Sequence, residues 1–66
     1  MKKAEYMQRH GLTLRRVTPE DRAAARTDYQ RVADYIIDNG ACEWFSKSGS
    51  LRDMQTFVRE WHAAEI

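Results

Sequence analysis

The chain has 66 residues, with 11 Lys or Arg against 10 Asp or Glu, a net charge of +1 and 42% hydrophobic residues. That length admits one domain, residues 1–66, which buries only about 60% of its unfolded surface and has little stability to spare. The balanced charge excludes strong non-specific nucleic-acid binding, which needs many phosphate contacts.

Cys42 is the single cysteine, which excludes an intrachain disulfide and points to a reducing compartment. Met1-Lys2-Lys3 is followed by no apolar core of a signal peptide. No run approaches the roughly 20 apolar residues of a membrane span. These observations predict a soluble, cytoplasmic protein without a membrane partner.

Residues 3–10 predict two turns of helix with Ala4 and Met7 facing inward and Gly11 as the stop. Leu12-Thr13-Leu14 alternates and predicts an extended connector with both leucines tucked inward. It is not read as a strand, because no second strand is expected to pair with it.

Thr18 to Gly40 reads as the central helix. Thr18 caps it, Pro19 takes the first helical position, and Glu20 and Asp21 fill the first turn. Ala25, Tyr29, Val32, Ala33, Ile36 and Ile37 recur at steps of three and four. Asn39-Gly40 closes it through the left-handed conformation glycine allows. Such a helix would be about 31 Å long at roughly 1.5 Å per residue.

Gly40 to Gly49 links it to the last helix, with Ala41-Cys42-Glu43-Trp44-Phe45 as a single turn. Two adjacent aromatics cannot both point inward from one helical face, so one plugs the core and the other is a surface anchor. Ser50-Leu51-Arg52-Asp53 marks the start of the last helix, close to a capping box. Leu51, Met54, Phe57, Val58 and Trp61 form its apolar stripe.

The predicted architecture is all-α, a short N-terminal helix plus two longer helices in an antiparallel hairpin. Its expected core is Leu14, Tyr29, Val32, Ile36, Met54, Phe57, Val58 and Trp61. The apolar arc of the central helix is too wide for one neighbour to cover. Leaving Ile37 and half of Tyr29 exposed would forgo about 2–3 kcal/mol of burial. A homodimer through the central helices supplies the cover.

Charge is unevenly spread. Residues 1–26 carry Lys2, Lys3, Arg9, Arg15, Arg16, Arg22 and Arg26 against Glu5, Glu20 and Asp21. Residues 28–43 carry Asp28, Asp34, Asp38 and Glu43 against Arg31. Such asymmetry suits docking onto a charged partner or an antiparallel copy. Arg22 and Arg26 lie one turn apart beside the apolar stripe, and Asp34 and Asp38 one turn apart near the negative end of the helix dipole. With Tyr29, Ile37 and Trp44 they make up the candidate partner-binding set.

Catalysis and metal binding find no support in the residues. Cys42, His10 and His62 match no ligand spacing, no base is signalled beside Cys42, and the three glycines form no phosphate loop. The expectation is a non-enzymatic protein without a cofactor or metal. The competing class is a small helical DNA-binding regulator, with Arg52, Gln55, Thr56 and Arg59 as readers. Against it stand the long preceding helix and a connection wider than a helix-turn-helix uses.

Val17-Thr18-Pro19-Glu20-Asp21-Arg22-Ala23-Ala24-Ala25-Arg26, followed by Tyr29 and Ile36-Ile37, resembles the small accessory proteins of lambda-like phages. The resemblance is to those encoded between the exonuclease and excisionase genes. It implies a helical, non-enzymatic protein that modulates lytic or lysogenic development by binding a host or phage component. No motif matches position by position, so no functional residue is carried over. From the residues and this resemblance the expected function is a regulatory protein-interaction module with an unidentified protein partner.

Overall fold

Gly11 stops the first helix where the sequence places the stop. In the computed structural model, which describes residues 1–64, α1 runs over Lys3–His10 and Gly11 takes φ 64°. The Leu12 N–H donates to the Met7 carbonyl at 2.8 Å, closing the helix end. The inward residue is Tyr6, however; Ala4 is exposed and Met7 half-buried.

Beyond this point the all-α expectation fails. The extended connector is a strand, β1 (Thr13–Arg16), and the stretch expected as one central helix is three elements. These are α2 (Pro19–Ala23), α3 (Asp28–Val32) and β2 (Tyr35–Asp38). The single turn expected at Trp44-Phe45 is β3 (Glu43–Ser46), and only α4 (Leu51–Ala64) is the long helix predicted for it. The protein is α/β, a three-stranded antiparallel sheet with four helices among the described residues. The helical hairpin does not exist.

The physical reasons are local. Thr18 caps α2 as expected, in a full capping box: its hydroxyl accepts from the Asp21 N–H, and Asp21 accepts back from the Thr18 N–H. Thr27 then repeats the device. It takes extended backbone, φ −124° and ψ 162°, and its hydroxyl accepts from the Gln30 N–H at 3.1 Å. A second cap inside the stretch starts a second helix instead of continuing the first.

Downstream, Tyr35, Ile36 and Ile37 are aromatic or β-branched, and Asp38-Asn39-Gly40 is a turn. Asn39 Oδ1 accepts from the Ala41 and Cys42 N–H groups at 2.9 and 2.8 Å, and Asp38 Oδ1 from the Gly40 N–H at 2.6 Å. Gly40 has φ 92°. These bonds fold residues 39–42 into the loop of a β-hairpin.

Sheet order is β1-β2-β3, with Leu14 opposite Ile37 and Ile37 opposite Trp44. That row faces α1 and α4. Ile37, Leu12, Tyr6, Met54 and Phe57 form the core there, edged by Leu14, Trp44, Leu51, Val58 and Trp61. The alternate row is Arg15, Ile36 and Phe45, on the opposite face by the period of a strand. Ile36 is only 1% exposed, and α2 is tied to this face through Arg15 and Asp21. The sheet therefore has helices on both sides, α1 and α4 on one and the α2–α3 segment on the other.

This arrangement corrects the expected core. Met54, Phe57 and Ile36 are buried and Leu14, Val58 and Trp61 half-buried, but Tyr29 and Val32 are exposed. Trp44 and Phe45, expected as one plug and one anchor, are both half-buried on opposite faces. Ile37 is fully buried within one chain, so the unfilled line that called for a second copy does not arise, and the central helices that would form that interface are absent.

Candidate functional site

The outward surface of the α2–α3 segment carries Arg22, Arg26, Tyr29 and Asp34, four of the residues marked from the sequence. Arg22 has a structural task. Its guanidinium donates to the Arg31 carbonyl and, at 3.3 Å, to the Ala33 carbonyl. Those carbonyls lie where α3 runs out of helical donors, so Arg22 staples α2 to the end of α3. A cation beside the apolar stripe is explained by this bond.

Arg26 is exposed. Its backbone N–H donates to Gln30 Oε1 at 2.7 Å, while its guanidinium makes no hydrogen bond or ion pair among the described residues. Tyr29 is held at its far end, where the phenolic oxygen accepts from the Lys47 N–H at 3.2 Å. The Lys47 ammonium in turn pairs with Asp34 at 3.0 Å and draws that carboxyl below its ordinary range. The Tyr29 ring is thus oriented yet 49% exposed, and Val32, one turn further along, is 56% exposed. Besides Met1, these are the large apolar side chains that stand open among the described residues. The sequence reading missed Val32 as a surface residue, because the period that marks it assumes a continuous helix.

The remaining marked residues serve the fold. Ile37 is in the core, Asp38 holds the hairpin loop through Gly40, and Trp44 stacks on Phe57 with ring centroids 5.4 Å apart and 6° between planes. Arg15, which the sequence reading used only in its charge count, is the electrostatic centre of this side of the sheet. It donates to both Asp21 oxygens at 2.5 and 3.1 Å and to Glu43 at 2.6 Å, spanning from β1 over β2 to β3. The Arg15 guanidinium, with the Thr18 N–H, holds the Asp21 carboxyl far below the usual carboxylate range.

Cys42 is half-buried and its thiol lies 3.5 Å from the Glu43 carbonyl. Among the described residues no group of three His, Cys, Asp or Glu could hold a metal ion, and no helix is long and apolar enough to cross a membrane. Arg52, Gln55 and Arg59 are exposed on α4, while Thr56 is half-buried and donates to the Arg52 carbonyl. The element before α4 is a strand, so α4 is not the second helix of a helix-turn-helix.

The fold and this surface define a small α/β protein whose three-stranded antiparallel sheet is flanked by helices and whose outer helix displays an apolar pair. Comparison of the chain with protein-family models, with characterised proteins and with solved structures returns no match.

Proposed function

We propose that the chain is a non-catalytic, cytoplasmic interaction module that regulates a protein partner by docking it on Tyr29 and Val32 of α3. The observation that carries this reading is the joint exposure of these two side chains, while the large apolar groups of the sheet and of α4 are buried or half-buried. A tyrosine anchored by its hydroxyl presents a large contact area at low cost in side-chain entropy, and tyrosine is enriched in binding hot spots. Arg26, three residues before it, supplies a cation whose guanidinium has no partner among the described residues. The resemblance to small accessory proteins of lambda-like phages makes a host or phage component the expected partner.

The test is a photo-crosslinking phenylalanine analogue placed at Tyr29, irradiated in a bacterial lysate. One protein should be captured, and Val32→Ser should abolish the product. Capture that survives Val32→Ser, or none at all, would overturn the reading. A product of twice the chain mass would make the occupant a second copy of this chain, the homodimer that the sequence suggests. Duplex DNA titrated at two salt concentrations tests the competing class; tight binding that weakens steeply with salt would replace the protein partner by DNA.

A further inference from the structure

On the side of the sheet away from Tyr29, α1, the hairpin loop and α4 border a half-open cleft of about 230 Å³, lined among the described residues by Arg9, His10, Leu12, Asn39, Val58, Trp61 and His62. Its composition is one-sided. Among the described residues its polar lining is Arg9, His10, Asn39 and His62, with no carboxylate side chain. Asn39 acts as a donor, because its carboxamide oxygen is taken by the Ala41 and Cys42 N–H groups, which leaves its NH₂ for a ligand. Arg9 makes no ion pair among the described residues, even with Glu5 one turn earlier on α1. The rest of the wall is apolar: Leu12 is buried, and Val58 and Trp61 are half-buried at the edge of the core.

We infer that this cleft binds a carboxylate attached to an apolar side chain, as the C-terminal residue of a peptide presents it. Charge decides the first half: an anion entering here meets Arg9 and the Asn39 NH₂, and a guanidinium is the side chain best shaped to hold a carboxylate through paired hydrogen bonds. The apolar wall decides the second, since inorganic anions gain nothing from Trp61 and Val58. Size sets the limit. Pockets for cofactors and drug-sized ligands run from about 300 to 1,000 Å³, so this one suits a group of a single residue and not a nucleotide. The inference goes beyond the docking surface on α3 and does not depend on it.

The test uses N-acetyl-leucine as the probe, followed by the Trp61 indole signal in two-dimensional NMR of the full chain. The shift should saturate in the low-millimolar range or tighter, about what a ligand on the order of a dozen atoms achieves. N-acetyl-leucine amide and acetate separate the two halves of the site; each should bind at least about tenfold more weakly than the acid. Arg9→Gln should weaken the acid by about tenfold or more. Because Arg9 is exposed, the variant should melt as the parent does. Equal binding of acid and amide, an unchanged affinity in Arg9→Gln, or no saturable shift would overturn the assignment.

Discussion

Gly49 lies against the ring of Tyr35 so closely that a β-carbon there would stand 3.0 Å from Tyr35 Cγ and 3.3 Å from Leu14 Cδ1. Its φ of 62° adds a second demand, since side chains rarely accept that backbone. The Gly49 N–H donates to the buried Ser46 hydroxyl, and Ser46 donates to Asp53 on α4. One glycine thus joins β1, β2, β3 and the start of α4. Gly49→Ala should cost about 2–4 kcal/mol, strain and overpacking together, read by urea unfolding. A loss below about 1 kcal/mol would mean that Tyr35 is free to move aside.

Thr27 gives a prediction whose sign separates two folds. As the cap of α3, Thr27→Ala should destabilise by about 1 kcal/mol. Inside an unbroken helix the same exchange should stabilise by up to about 0.7 kcal/mol, because alanine is the better helix former. Chemical denaturation of the single variant decides between them.

Most of what the sequence conceals turns on Tyr35 to Gly40. Val32, Ile36 and Ile37 satisfy helical spacing, yet Tyr35-Ile36-Ile37 before Asp38-Asn39-Gly40 is also a strand running into a hairpin turn. Short apolar runs satisfy both periods, and β-branching is the signal that decides. Once β2 is read as helix, Leu12 to Arg16 has no strand to pair with, and β1 is lost as well. The caps at Thr18 and Gly11 and the whole of α4 are legible because each depends on neighbours within four residues. Ser50 does accept from the Asp53 N–H at 3.3 Å, as its spacing predicts. The place of Val32 on the surface beside Tyr29, which the sequence does mark for a partner, is concealed for the opposite reason. That exposure follows from α3 ending at Val32, and the Arg22 staple that secures that end joins residues nine and eleven apart.

Acid should loosen the Arg15 bridge. Asp21 is held below its ordinary carboxylate range in the folded chain, whereas in the unfolded chain it titrates near about 3.9. A depressed folded value means that the stabilisation is fully present above the unfolded value and fades as pH falls toward the folded one. Asp21→Asn should therefore be less stable than the parent at about pH 6, with the gap narrowing below about pH 4. A gap independent of pH would show that the capping bonds to Thr18, and not the charge, carry the effect of Asp21.

The docking surface rests on Val32 standing outside the core, and the unfolding free energy of Val32→Ser measures that directly. Valine and serine differ little in helix propensity, so the account predicts a change within about 0.5 kcal/mol. A loss of about 2 kcal/mol or more would place Val32 in the interior and leave α3 without an apolar face to offer a partner.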